Sequence, residues 1–323
     1  MRHLLRAAVA ALGFCTLASV VQAQPGGSGV PLKMIVPFSP GTGIDIVART
    51  VGPRLGQKLG RPVVVENRVG ASGNIGTEAV VRAAPDGNTL LVSVNTLVMN
   101  RGLYPQLPFD PVKDLVPVSL TSWGQLLLVT HPGSGFKTAG DLIAAAKARP
   151  GRINYASPGV GTPHHMSMEL LKQTAGVFLT HIPYRANAPA LTDLLGGQVE
   201  AMFLPIHVAL PHLRTGKLLA LAIGSDERHP LLPDVPTLAQ AKAGNVNVNM
   251  WFGIFAPPGT PADQVAKLNA DLKEILAQPE VRTAFQSQGM DPAWDTADNF
   301  RSLVARDADR WARLVKTAKI KAE

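Results

Sequence analysis

The chain has 323 residues, 46% of them apolar, with only 17% charged, 5% aromatic and a formal charge of +8. That apolar content supports real cores and excludes an intrinsically disordered chain, while 30 glycines and 27 prolines exclude a coiled coil or long bundle. The basic residues are scattered and form no lysine- or arginine-rich run, which argues against a nucleic-acid binder, and the length suits two domains.

Residues 1–23 read as a cleavable export signal. Arg2, His3 and Arg6 form a basic start, Ala7 to Val21 is apolar or small, and Val21-Gln22-Ala23 fits a cleavage site. The apolar stretch is short for a membrane span, and Phe14 is too bulky ahead of Cys15 for a lipoprotein signal. Cys15 is the only cysteine and leaves with the signal, so no disulfide, thiol chemistry or cysteine-ligated metal is expected. The expected product is soluble, not lipid-anchored, and periplasmic. Residues 24–31 read as a Gly/Ser/Pro tail.

From there strands and helices alternate. Lys33 to Phe38 reads as a buried strand, and Ile44, Val47, Ala48, Val51, Leu55 and Leu59 repeat at helical spacing. Pro53 inside that helix predicts a kink or a cost. Pro62 to Val65, Asn74 to Ala84 and Thr89 to Val94 continue as strand, helix and strand. This order predicts a parallel, doubly wound sheet. A second series begins at Leu126 to Val129. Thr138-Ala-Gly-Asp141 is a capping box opening a helix to Ala148. Ile153 to Tyr155 is a strand, Thr162-Pro163 opens a helix that Gly176 closes, and His181 to Tyr184 is a strand before a helix over Asn187 to Leu195. Val199 to Phe203, Leu219 to Gly224 and Met250 to Ala256 are further strands. From Thr260-Pro261 the chain reads as helical, with breaks near Pro279 and Gly289 to Pro292.

Ligands of such sheets sit beyond the carboxyl ends of strands, which directs attention to three strand-to-helix loops. Phe38-Ser-Pro-Gly-Thr-Gly-Ile-Asp45 offers backbone N–H groups, hydroxyls and a helix start suited to a carboxylate or phosphate, and equally reads as an ordinary tight turn. It lacks the lysine of a phosphate loop, which excludes a nucleotide site of that kind. Asn67 to Gly76 repeats the pattern, with Ser72 or Asn74 as a simple helix cap in the structural reading. Ala156 to His165 is the third, with Thr162 as N-cap. The adjacent His164 and His165 invite a metal reading, yet only Glu169 lies at a helpful spacing, so no metal is assigned; one imidazole is expected to pack at the hinge side and the other to face the cleft. No nucleophile elbow, metalloprotease motif or catalytic cysteine occurs, so no catalytic residue and no cofactor is assigned.

Together these segments resemble the Bug (TctC-like) family, the extracytoplasmic solute-binding proteins of tripartite tricarboxylate transporters. The resemblance rests on Val36-Pro-Phe38 with Pro40-Gly-Thr-Gly-Ile-Asp45 and Arg49, Asn67 to Gly76, and Pro85-Asp-Gly-Asn-Thr-Leu-Leu91. It continues through Gly159 to Glu169, Pro183-Tyr-Arg-Ala-Asn-Ala-Pro-Ala190, Gly196-Gly-Gln-Val199 and Trp251 to Pro261. Thr42 and Ala186 stand where the family has glycine, and Ala186 is expected to change the local backbone.

The resemblance implies an α/β periplasmic-binding-protein fold of type II-like kind, a Venus flytrap of two doubly wound lobes with a central ligand cleft. Lobe one would comprise 32–125 plus 250–323, and lobe two 126–249. The implied ligand is a small carboxylic acid: a di- or tricarboxylate, an acidic amino acid or an aromatic carboxylate. The implied partners are the membrane permease subunits of the transporter, with the protein a monomer; the alternatives are a binder presenting ligand to a sensor histidine kinase, or a periplasmic enzyme. The expected cleft residues are Phe38, Ser39, Thr42, Gly43, Asp45, Ser72, Asn74, Asn95, Ser157, Gly161, Thr162, His164 and Tyr184. Phe38 would cover the apolar body of the ligand, hydroxyls and loop amides would hold its carboxylates, and Asp45 would stabilise its own helix start or order water.

Overall fold

The computed structural model describes residues 29–104 and 106–321. The expected export signal, Cys15 and most of the 24–31 tail lie outside the described residues. None of the described helices is long and apolar enough to cross a membrane.

Short β-branched runs build the first sheet. β1 (Leu32–Val36), β2 (Val63–Asn67) and β3 (Thr89–Val94) alternate with α1 (Gly43–Leu59), α2 (Asn74–Val81) and α3 (Thr96–Leu103), and β4 (Val116–Gly124) follows. After a single residue, Gln125, the chain enters the second sheet as β5 (Leu126–Thr130). There α4 (Ala139–Ala148), β6 (Asn154–Ser157), α5 (Pro163–Ala175), β7 (Thr180–Pro183), α6 (Asn187–Leu195), β8 (Ala201–Pro205), α7 (Ile206–Arg214) and β9 (Leu219–Ile223) follow in order. The chain then returns to the first sheet as β10 (Met250–Ala256), and ends with α8 (Ala262–Ala277), α9 (Pro279–Gln286), β11 (Met290–Pro292) and α10 (Ala297–Thr317).

The sheets run β11-β4-β10-β3-β1-β2 and β7-β6-β8-β5-β9. Neither is wholly parallel, which corrects the expectation from alternating elements. β1 is parallel to β2 and β3, and β6 to β7 and β8. β10 is antiparallel to β3 and β4, and β5 to β8 and β9. β5 and β10 are the strands by which the chain passes between sheets, and each enters its sheet against the direction of its neighbours.

Both strands are buried along their whole length, as expected for central strands. In α10, Phe300, Val304, Ala308, Trp311, Leu314 and Val315 recur every three or four residues and bury one face against α3 and β4. Each fully buried large side chain there contributes about 1.5–3 kcal/mol. α1 runs through Pro53 to Leu59, the end the helical spacing predicts, and Pro53 lies on its exposed face. The capping box at Thr138 is present: Thr138 Oγ1 accepts from the Asp141 N–H at 3.1 Å and Asp141 Oδ2 accepts from the Thr138 N–H at 2.8 Å. Gly176 closes α5 in the left-handed conformation.

Candidate functional site

A cavity of about 750 Å3 lies between the two sheets, walled by the turns that follow their strands. Six helices begin at it: Gly43 of α1, Gly73 before α2, Thr96 of α3, Pro163 of α5, Asn187 of α6 and His207 of α7 are all in its wall. The N–H groups of a first helical turn have no intrahelical partner and carry a partial positive charge, so this convergence favours an anion. Among the described residues Arg185 is the one lysine or arginine in the wall, and no aspartate or glutamate lines it. The apolar share comes from Phe38, Ile44, Val94, Leu191, Val208, Met250 and Phe252.

Two of these turns are built alike. At the start of α1, Thr42 holds the N-cap position but its hydroxyl donates back to the Ser39 carbonyl at 2.9 Å. At the start of α5, Thr162 does the same toward Gly159 at 2.8 Å. Neither side chain caps its helix. This corrects the reading of Thr162 as a capping side chain, and it leaves the first amides of both helices free of a capping group. Gly43 is required by space: a Cβ there would lie 2.7 Å from the Phe252 ring.

Phe38, Ser39, Thr42, Gly43, Ser72, Thr162, His164 and Tyr184 line the cavity. Asp45, Asn74, Asn95, Ser157 and Gly161 stand behind the wall. Asp45 is 3% exposed and accepts from the Gly41 N–H at 2.9 Å, Arg49 Nε at 3.0 Å and Asn67 Nδ2 at 3.0 Å. Burial alone would raise its carboxyl, but Arg49, Gly41 and Asn67 outweigh that and hold it below the usual range. Asn74 Oδ1 accepts from Asn100 Nδ2 at 2.8 Å. Asn95 is buried and donates to the Asn249 carbonyl at 3.3 Å, so its neighbour Thr96 takes the place in the wall. Ser157 is fully buried, bonded to Gly159 O at 3.0 Å and to His181 Nε2 at 2.7 Å. Neither member of that serine–histidine pair is in the cavity wall, so it presents no nucleophile there.

Gly161, with φ +79, donates its N–H to His165 Nδ1 at 3.2 Å and lies against Leu103 and Asn100 of the first lobe. The lobes also meet where Ser72 Oγ donates to the Val160 carbonyl at 2.8 Å. The adjacent histidines part company. His164 enters the cavity wall, whereas His165 packs inside the second lobe, stacked on His181 at 4.1 Å. Beneath them Glu169 accepts from Tyr155 at 2.5 Å and Lys172 at 2.6 Å. Burial lowers both His165 and His181 to about 3, with Lys172 adding to His165 and His165 adding to His181. Among the described residues no cluster of three or more His, Cys, Asp or Glu is arranged for a metal ion.

Sequence reasoning passed over Thr96, Arg185, Asn187, His207, Met250 and Phe252. His207 was discoverable: it stands two residues past the end of β8, but Pro211 masks the helical pattern of α7. Ala186, expected to disturb the backbone where the family has glycine, is extended at φ −161, a conformation open to any residue.

The tripartite tricarboxylate transporter family receptor (TctC) model matches residues 47–320. Protein BugT of Bordetella pertussis is 40% identical over 288 residues, covering 88% of each chain. Among solved structures, R. palustris Rpa4515 with adipate superposes with a TM-score of 0.86 at 30% identity, covering 91% of this chain and 98% of that one. MatC from Rhodopseudomonas palustris with bound malate gives 0.81 at 34% identity, covering 88% and 99%. The chain belongs to the tripartite tricarboxylate transporter receptor (TctC) family.

Proposed function

We propose that the protein is a periplasmic solute-binding protein that captures a small carboxylic acid between its lobes and delivers it to the membrane subunits of a tripartite transporter. The observation that carries this reading is the convergence of six helix starts on one cavity whose wall holds no carboxylate. The carboxylate is held by the free amides at the starts of α1 and α5, with Ser39 beside it and Phe38 over the apolar body, while the Ser72 and Tyr184 hydroxyls, which donate to Val160 O and Asp193, shape the wall. Each hydrogen bond to a charged group contributes about 1.5–3 kcal/mol, so four or five bonds, less the cost of association, reach micromolar affinity without an ion pair. The relatives with adipate and malate support the carboxylate class. The export signal at 1–23 supports the compartment.

A thermal-shift screen against adipate, malate, citrate, glutamate, benzoate and 4-hydroxybenzoate tests the reading. Ligand at 100 times its Kd adds about 2.7 kcal/mol, which raises the melting temperature by several degrees. A screen in which every acid leaves the melt unchanged removes the proposal.

A further inference from the structure

Several residues of the cavity wall carry buried polar atoms without a partner: both ring nitrogens of His164, Nε2 of His207, Oγ1 of Thr96 and Oδ1 of Asn187. His164 is 6% exposed and is the second residue of α5. His207 is the second residue of α7, and its Cε1 comes within 3.6 Å of where a Cβ on Gly43 would stand, at the start of α1 in the opposite lobe. The two imidazoles therefore come from separate helix starts of the second lobe, and one reaches across to the first. Buried polar groups are ordinarily hydrogen-bonded, and the described residues supply nothing for these.

Their chemistry specifies what satisfies them. Burial, reinforced by His207, lowers His164 to about 3, and burial lowers His207 to about 4, so both rings are neutral at physiological pH. A neutral imidazole offers one N–H and one bare nitrogen, a threonine hydroxyl both donates and accepts, and an amide oxygen only accepts. A second carboxylate on the ligand is a pure acceptor. It answers the N–H groups and leaves the bare nitrogens and Asn187 Oδ1 with no hydrogen to accept. A hydroxyl or an N–H answers them.

We propose that His164 and His207, with Thr96 and Asn187, form a second polar subsite that selects a neutral hydrogen-bond-donating group on a carboxylic acid bound at the helix starts. This rests on the carboxylate reading above. The substrate class is a monocarboxylic acid carrying a hydroxyl or N–H on an apolar body that packs on Phe38, Met250 and Phe252, in preference to a dicarboxylate. A site built around a ligand hydroxyl discriminates strongly against the analogue lacking it, because its own buried groups are then left unpaired.

Calorimetry of the purified protein at neutral pH with two matched pairs tests this: 4-hydroxybenzoate against benzoate, and 6-hydroxyhexanoate against adipate. The hydroxyl-bearing member of at least one pair is expected to bind about tenfold or more tighter. That advantage should vanish in His164→Leu and His207→Leu, and persist in His164→Gln, which keeps both a donor and an acceptor. No hydroxyl advantage in either pair overturns the proposal, as does tighter binding of adipate accompanied by proton uptake, read from buffers of different ionisation heat. An advantage that survives both leucine variants overturns it too. Should a leucine variant fail to fold in a thermal melt, the wild-type pairs still decide. If none of the four acids binds, this proposal falls, and the carboxylate reading falls with it only when malate, citrate and glutamate also leave the melt unchanged; binding without a hydroxyl preference removes this one alone.

Discussion

The turn at 38–45 in the first lobe and the turn at 157–165 in the second share the glycine–threonine backbone that leads into each helix and differ in chemistry. In each, a glycine with positive φ, +81 at Gly41 and +79 at Gly161, precedes the threonine at the N-cap position. Each glycine N–H donates to the side chain four residues on: Asp45 Oδ2 at 2.9 Å, and His165 Nδ1 at 3.2 Å. The turn thus needs an acceptor one turn into the helix, and does not need that acceptor charged. Charge decides the rest. Asp45 gathers Arg49 and Asn67 as well, while His165 remains neutral and stacks on His181. Both solutions keep the first amides of the helix for something else.

The difference is sharpest in acid. His165 and His181 fall to about 3 in the folded protein against about 6.5 unfolded. A depressed histidine leaves the unfolded chain binding more protons, so stability is full above pH 6.5 and falls as pH drops toward 3. Asp45, held below its ordinary 3.8, keeps its contribution until the pH passes below that value. Between about pH 6.5 and 4 the histidine pair of the second lobe therefore loses its contribution and Asp45 of the first does not. Melting followed by scanning fluorimetry should drop steadily from pH 7 to 4.5, by about 1–3 kcal/mol for each imidazole that stays buried. A flat profile would break the comparison.

A smaller effect is expected from Asp45→Asn, which removes the charge while keeping an acceptor. Arg49 is half exposed and recovers water, which limits the loss to about 1–3 kcal/mol in urea denaturation at pH 7. The acid window of the melt should stay where it was; a shift of that window would tie the first lobe to the second. Smallest of all, Thr42→Val and Thr162→Val each delete one hydroxyl bond to a carbonyl three residues back, worth about 1 kcal/mol. The two losses should match, and a clear inequality would mean that the turns are alike only in outline.

Local signals were legible in the sequence and non-local ones were not. The capping box at Thr138, the glycine stop at Gly176 and the β-branched runs of β1 and β3 rest on contacts a few residues apart. The antiparallel direction of β5 and β10 depends on where the chain crosses between sheets, which no short window contains. α3 escaped because Thr96-Leu-Val-Met-Asn-Arg-Gly-Leu mixes β-branched residues and a glycine. With it went Asn100 and Leu103, which meet Gly161 across the lobes. In the site, the three loops were found from their glycines and helix starts. Which residue of a loop faces the cavity was harder: Asn95 and Thr96 differ by one position, and only the packing of α3 decides between them.

The central claim is that a carboxylate sits at the starts of α1 and α5 and not on the one cation of the wall. A crystal structure with the acid that most stabilises the protein in the thermal-shift screen tests this directly. The account predicts carboxylate oxygens within hydrogen-bond distance of backbone amides at 43–45 and 164–165. A carboxylate paired with Arg185, with those amides turned to solvent, would contradict it.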